Sequence, residues 1–351
     1  MKYLSFFSGI GGFELAIHQK FPSAICLGYS EIKPIALQIY KKHFPSHKNI
    51  GNIVNINSST IKELIQNGCD LVVGGFPCTN LSSMASLKGE HSGVDGSKSG
   101  LFFDFIRILT IVFDLCPNIS IIIENNASMT HANQKRITKT IQNITNRTIY
   151  CTMINNADIS VQTRKRIFWT TFPIEKPNKC LHEWKDILEP IDNIESRYFV
   201  SDTYMNGMNT IIPTKHSSKT CVFMRKNDKY QEFIIVSHTE KIGKTRYQLS
   251  MHSDTGDNPP YAYPIGKSRP ICAGGGGGFS KGMVIDRRFG NHNEFLFRYF
   301  TMKEKERLFG FPDNYTEPLS DSARSDVLGN AVCVYSIAHI LENIMLEHIQ
   351  D

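Results

Sequence analysis

A thiol, a carboxyl group and two guanidinium groups stand at spacings from which chemistry can be read. The thiol is Cys78, in Gly75-Phe76-Pro77-Cys78-Thr79-Asn80-Leu81-Ser82. Just before it, Asp70-Leu71-Val72-Val73 is an apolar run that reads as a buried parallel strand, broken by Gly74 and Gly75. Pro77 stiffens the turn. Cys78 is thereby expected just past the carboxyl end of a strand, where open α/β sheets place their ligands. A thiol held there is a candidate nucleophile. The plainer alternative is an ordinary buried cysteine, since free Cys is among the most buried residue types. The carboxyl group is Glu124, at the mouth of the apolar run 119–123. That position suits proton transfer, although a strand-end Glu can also simply cap the next helix. The guanidinium groups are Arg164 and Arg166, in Val161-Gln162-Thr163-Arg164-Lys165-Arg166. On an extended segment Gln162, Arg164 and Arg166 share one face, and a charged surface strand would show the same alternation.

These groups need elements to position them, and the first half of the chain supplies a βα alternation. Residues 2–7 read as a first strand. Residues 7–19 turn on Gly9, Gly11 and Gly12 into an amphipathic helix. Such a turn lets a ligand approach the backbone and meet helix N–H groups, though it also serves tight packing alone. A second strand over 24–29 leads to Glu31, about 20 residues past the loop, where dinucleotide folds place a ribose-binding acid. A solvated charge before the next helix is the bland alternative for Glu31. Residues 51–56 read as a strand or a turn. Residues 83–100 are rich in Ser, Gly and Lys without periodicity, and a long loop after a nucleophile is a lid candidate. Residues 100–115 have helical apolar spacing, 133–147 form a further helix, and 148–154 a further strand.

From about residue 173 the βα alternation gives way to prolines, short β-like runs and polar stretches. Between 215 and 246 lie eight basic residues against three acidic ones, interleaved with Tyr230, Phe233 and Tyr247. This pattern resembles a nucleic-acid footprint. Five consecutive glycines follow at 274–278, either a linker or a backbone free to lie flat on a ligand. A helix within 298–315 is stopped by Gly310-Phe311-Pro312, and an apolar helix closes the chain.

Composition sets the outer bounds. The chain has 351 residues, 41% hydrophobic and 21% charged, enough for one large core or two unequal domains. A net charge of +6 permits a polyanionic partner. Nine scattered cysteines, with no Cys-x-x-Cys pair and no Cys/His cluster at zinc spacing, argue for a reducing compartment and against a disulfide framework or a metal site. No apolar run approaches the length of a membrane span. The apolar start is interrupted by glycines, which fits a ligand loop better than a signal peptide.

In their order, these pieces resemble the DNA (cytosine-5) methyltransferase family over nearly the whole chain. The resemblance is carried by residues 7–14, Glu31, 75–82, 99–109, 122–126, 162–166, 269–278, 301–315 and 329–332. It implies an α/β fold, a doubly wound Rossmann-like sheet of the S-adenosylmethionine-dependent methyltransferases, with a second, smaller, mostly β target-recognition domain. The catalytic domain would comprise 1–172 plus 325–351, and the target-recognition domain 173–324. Cys78 would attack cytosine C6. Glu124 would contact N3 and the exocyclic amine, Arg164 would hold the O2 edge, and Arg166 would support the site. The cofactor would be S-adenosylmethionine, contacted by Phe7, Gly9, Gly11, Glu31, Asn52, Ile53, Leu101, Asn330 and Val332. Double-stranded DNA would be the partner, with the target base flipped out of the helix. The protein would act as a monomer without metal or membrane, wherever the DNA is, in cytoplasm or nucleus. A companion restriction endonuclease is left open.

The chain departs from the family pattern at Ser5, Asn52, Thr79, Asn126 and Ala331, none of which removes a catalytic side chain. Three other readings compete: a thymidylate-synthase-like enzyme, which the glycine loop at 9–12 and the basic insert do not fit, a catalytically silent DNA-binding homologue, and the RNA-acting branch. The last typically carries Cys-Phe-Thr, where this chain has Cys78-Thr79-Asn80.

Overall fold

The computed structural model describes residues 1–77, 100–198, 239–242, 245–250, 282–286 and 296–350. The chain divides into two compact units. The first holds Met1–Asn155, Lys165–Pro177 and Ala331–Asp351; the second holds Asn156–Arg164 and Asn178–Asn330.

The first unit is built on a six-stranded sheet. Its strands are β1 (Lys2–Phe6), β2 (Ile25–Ser30), β3 (Leu71–Gly75), β4 (Ser120–Asn126), β5 (Tyr150–Asn155) and β6 (Lys165–Thr170), in the order β2-β1-β3-β4-β6-β5. The pairs β1/β2, β1/β3 and β3/β4 are parallel, whereas β6 runs antiparallel to both β4 and β5. The sheet is therefore mixed, and the doubly wound α/β expectation holds with one reversed strand. That strand carries Arg166, so it returns the chain to the carboxyl end of β4. Residues 51–56 form no strand: Ile53–Asn55 is a single 3-10 turn capped by Asn52.

Among the described residues, five helices intervene: α1 (Gly12–Lys20), α2 (Pro34–His43), α3 (Ser58–Ile65), α4 (Gly100–Leu115) and α5 (His131–Thr145). Asn57 and Thr130 accept backbone N–H groups at the starts of α3 and α5, satisfying donors that the first turn leaves open. Leu4, Phe6, Val72, Ile121, Ile123 and Trp169 are buried in one apolar cluster with residues of α3, α4 and α5. Alternate strand residues share a face, so this one cluster fixes which side chains point the other way.

The second unit contains α6 (Trp184–Ile187), a four-stranded sheet, α7 (Met302–Phe309) and α8 (Asp321–Asn330). The strands β7 (Thr239–Ile242), β8 (Thr245–Ser250), β9 (Gly282–Asp286) and β10 (Leu296–Tyr299) are ordered β10-β9-β8-β7, with only β8/β9 parallel. Thr301 and Glu304 form a reciprocal capping box at the start of α7, and Gly310 ends it in the left-handed conformation. The last helix, α9 (Val334–Gln350), belongs to the first unit and packs on α1. The stretch Asp321–Ile344 is long and apolar enough by composition to cross a membrane, contrary to the sequence expectation. It comprises α8 and most of α9, and Ile337, Ile340, Leu341 and Ile344 are buried within the protein.

Helix α1 differs from the amphipathic helix expected there. Glu14, in its first turn, is fully buried together with Phe13, Ala16 and Ile17. The Tyr40 hydroxyl donates to Glu14 Oε1 at 3.1 Å, and the Ser5 and Ser8 hydroxyls, 2.9 Å apart, also face it. Burial raises the Glu14 carboxyl from its ordinary 4.5 to about 7, against hydrogen bonds from Ser5, its own backbone, Tyr40 and Ser8 that favour the charged form. Burial also shifts the groups around it, and one of them, His47, works against Glu14 over this range. Burial pushes Tyr3, Tyr40 and the Cys26 thiol up, and it pushes His47, which accepts or donates at the Tyr40 hydroxyl, down to about 4. The folded state thus holds a Glu14 proton that the unfolded chain has lost. The Glu14 contribution to stability should fall as pH rises from 4.5 to about 7, by on the order of 3 kcal/mol. His47 contributes in the opposite direction between about 4 and 6.5, so the Glu14 part is read as the difference between wild type and Glu14→Gln. Glu14→Gln should abolish this component: its melting temperature should exceed that of wild type at pH 8 and match it near pH 4. Parallel thermal melts across that range would sink the assignment if the two curves kept a constant offset.

Candidate active site

The turn from β1 into α1 is built of left-handed residues. Phe7 has φ +56°, Gly9 +56° and Gly11 +90°. Phe7 is the costly one, because side chains disfavour that conformation. Its ring stands edge-on to Phe105 of α4 at 5.8 Å, and Ser8 N–H donates to Ser30 O at 3.2 Å, so packing and pairing hold the turn. Gly9 N–H donates to Glu31 Oε2 at 2.8 Å. Glu31 Oε1 accepts the N–H groups of Ile32 and Lys33, each at 2.8 Å. Glu31 is therefore no solvated charge: it ties the glycine turn to the start of α2.

A second set of groups gathers at the carboxyl ends of β3 and β4. Gly75 pairs in register with Glu124. A Cβ at residue 75 would lie 3.1 Å from Glu124 Oε2, and one at residue 74 would lie 2.8 Å from Phe105 Cζ. Arg166 sits opposite Asn126 on the antiparallel β6, and its Nε meets Glu124 Oε1 at 2.7 Å. Both side chains are largely withdrawn from solvent, where a charge-assisted hydrogen bond is stronger than at the surface. Asn125, buried, donates from Nδ2 to Phe76 O at 2.9 Å and accepts Asn126 N–H at 2.8 Å. This bond fastens the Phe76-Pro77 turn to β4. Cys78 lies outside the described residues, as do residues 83–99 of the 83–100 lid candidate and residues 274–278. Of the basic stretch 215–246, only the backbones of β7 and the start of β8 are described.

The structure thus brings Phe7, Gly9 and Glu31 together, and separately Glu124 and Arg166. Asn52 caps the 53–55 turn through a bond from Val54 N–H at 3.2 Å, and Ile53 is buried beside it. Leu101 opens α4, and Val332 approaches Gly75. Two sequence candidates belong to the second unit. Arg164 precedes β6 and belongs to the second unit, where it donates to Gly329 O at 3.0 Å and lies 4.8 Å over the Phe309 ring. Asn330 ends α8 in that unit, bonded to Asp326 O. Arg164 and Arg166 do not share a strand face, because β6 begins between them at Lys165. Sequence reasoning passed over Asn125, although its place after a strand-end Glu was visible. It also passed over Ile32, an apolar side chain 58% exposed directly after Glu31.

The donor set fits an adenosine-bearing cofactor. A carboxylate offers about four lone-pair sites; Glu31 uses three on backbone N–H groups and keeps one for a ribose hydroxyl. Ile32 offers an exposed apolar face to a base, and a methyl group added at Gly9 or Gly51 would meet nothing within 4 Å, so the backbone there is open to a ligand.

A family model described as C-5 cytosine-specific DNA methylase matches residues 1–346. The type II methyltransferase M.NgoPII of Neisseria gonorrhoeae is 27% identical, with 98% of this chain and 96% of the relative covered. M.HhaI of Haemophilus parahaemolyticus, also a type II methyltransferase, is 24% identical, with 98% and 94% covered. Among solved structures, the Dnmt2 methyltransferase of S. pombe superposes with a TM-score of 0.62 at 16% identity, covering both chains fully (100% and 100%). That likeness concerns the fold.

Asn125→Ala should leave Phe76 O without its donor and let the turn before Cys78 drift. Misplacement of a reacting group by about 1 Å costs on the order of 10²-fold in rate. Turnover should fall by that order while affinity for S-adenosylhomocysteine stays near wild type. Unchanged turnover in a folded Asn125→Ala protein would remove the positioning role.

Proposed function

Because the chain belongs to the C-5 cytosine-specific DNA methylase family, whose members are DNA (cytosine-5-)-methyltransferases, we propose that it methylates a flipped-out cytosine through a covalent adduct on Cys78. The observation that supports this most is the Glu124–Arg166 pair, held opposite Gly75, three residues before Cys78. Cytosine C5 is a poor nucleophile until something adds at C6, and a thiolate both adds and leaves, splitting one difficult step into two. The Cys78 thiolate forms the S–C6 bond, and the displaced electron pair moves through the ring toward N3 and C5. Glu124 meets N3 and the exocyclic amine, and its carboxyl group manages the proton that N3 gains. The guanidinium beside Glu124 is that of Arg166, so the O2 edge is assigned to Arg166, and Arg164 is reassigned to holding the 329 backbone. The sequence resemblance gives the O2 edge to Arg164 and support of the site to Arg166. Once C5 has taken the methyl group, with S-adenosylhomocysteine leaving, loss of the C5 proton and of the proton on N3 and expulsion of the Cys78 thiolate restore the aromatic ring.

S-adenosylmethionine, when bound, supplies the methyl group. Glu31 would take its ribose; Phe7, Gly9, Gly11, Asn52 and Ile53 would line its place, with Leu101 and Val332 nearby. Recognition of the DNA sequence is assigned to the segment 173–324 with its basic stretch, whose Lys and Arg residues would meet phosphates. The target base must leave the duplex, since its C5 and C6 are out of reach within the stack.

Fluorine at C5 blocks the final elimination, because no proton can leave. DNA carrying 5-fluorocytosine at the recognition site should therefore trap the protein as an adduct that survives denaturing electrophoresis, only when S-adenosylmethionine is present. Cys78→Ser should abolish the adduct and keep DNA binding, a hydroxyl being far less nucleophilic than a thiolate. An adduct mapped to another cysteine, or trapping on RNA alone, would overturn the reading. Glu124→Gln keeps the shape but cannot exchange a proton with N3. Turnover should drop by about 10²–10⁴-fold with cofactor binding retained, and a near-native rate would make Glu124 structural.

A further inference from the structure

Helix α4 bonds the backbone of the 53–55 turn through Arg107. Arg107 Nη1 donates to Ile56 O at 2.6 Å, and Nη2 donates to Ile53 O at 2.9 Å and to Asp104 Oδ1 at 3.4 Å. The two carbonyls are the ends of the turn: Ile56 N–H itself donates to Ile53 O at 3.3 Å, a long bond for a turn this short. The guanidinium therefore spans the turn from outside and closes it with charged donors, while Asp104, one helical turn earlier, sets its orientation. Inside the turn, Asn52 Oδ1 holds Val54 N–H, and Asn55 N–H holds Asn52 O at 2.9 Å. Upstream, Gly51 at φ +83° gives the backbone no stiffness of its own. The place of Asn52 and Ile53 thus depends on a residue more than 50 positions later in the chain.

We propose that Arg107 is a positioning residue for cofactor binding: by bridging the Ile53 and Ile56 carbonyls it holds Asn52 and Ile53 in the arrangement that accepts the adenosine moiety of S-adenosylmethionine. The inference rests on the assignment of Asn52 and Ile53 to the cofactor site. The fork matters as much as the charge. A guanidinium presents two parallel donors to two acceptors, whereas a lysine ammonium is a point donor that cannot span them in the same way. A side chain that merely stapled α4 to its neighbour would lower thermal stability alike but leave the folded protein's cofactor affinity where it was.

The test is calorimetric titration of S-adenosylhomocysteine into wild type, Arg107→Met, Arg107→Lys and Glu31→Ala, at a temperature where circular dichroism shows each fully folded. Arg107→Met should weaken binding about tenfold, equivalent to about 1.4 kcal/mol. Arg107→Lys should fall between it and wild type, and carries the test if the Met variant does not fold. In turnover assays the KM for S-adenosylmethionine should rise while kcat at saturating cofactor and the affinity for DNA hold. Native affinity in both Arg107 variants, with Glu31→Ala weakened, would overturn the positioning role alone. Native affinity in all three, Glu31→Ala included, would overturn the site assignment and the inference with it.

Discussion

At residues 74 and 75 an added Cβ would crowd side chains that the candidate site uses, and the site is arranged around that constraint. A Cβ at 74 would press on the Phe105 ring and one at 75 on the Glu124 carboxylate. Both glycines lie in β3, between β1 and β4, with parallel neighbours on each side. Glycine weakens a strand interior, and its presence at two successive positions marks close approach from both faces at once. On one face, Phe105 reaches up to Phe6 and Phe7, centroids at 5.4 and 5.8 Å, and so supports the left-handed turn that leads to Glu31. On the other, Glu124 reaches across to Arg166. Fill either glycine and one of these contacts must move.

The reversed strand β6 belongs to the same logic. A sheet of parallel strands collects its carboxyl ends on one edge, where loops and helix N-termini provide backbone donors. A cationic side chain placed within the sheet itself, beside a strand-end carboxylate, requires a strand that begins where β4 ends. Antiparallel pairing supplies it, and the register sets Arg166 against Asn126 and Phe168 against Glu124. The pair is rigid because β6 is flanked on its other side by β5 and anchored below by Trp169, whose indole N–H donates to Thr138.

Helix α4 links these parts. It contributes Phe105 to the glycine turn, Arg107 to the 53–55 turn, and Ile108, Leu109 and Val112 to the apolar cluster under the sheet. It also starts at Gly100, at the end of the segment that follows Cys78 in sequence. One element thereby meets the Phe7 ring of one turn and the Ile53 and Ile56 carbonyls of another.

The sequence alone determined the alternation of strands and helices, because apolar periodicity and glycine breaks are local properties. It also placed Glu124 and Glu31 toward strand ends, because strand ends are where such runs stop. Helix α7 was legible from its Gly310-Phe311-Pro312 stop, and the glycine turn from its three glycines. What tertiary structure decided were the partners. Whether Glu31 was a solvated charge or a clamp depended on Gly9, 22 positions earlier, adopting a φ that turns its N–H toward the carboxylate. Arg164 and Arg166 looked equivalent as alternate residues of one extended run; the start of β6 at Lys165 separated them into different units. Glu14 looked like the polar end of an apolar stretch, yet it is buried against the Tyr40 hydroxyl, a residue two elements away. Arg107 looked like one charge on an apolar helix, with no local hint that its acceptors were carbonyls of the 53–56 segment. The physical reason is common to all four. Periodicity says which way a side chain points along its own element, but a hydrogen bond or ion pair is chosen by what the packing of other elements brings within 3 Å.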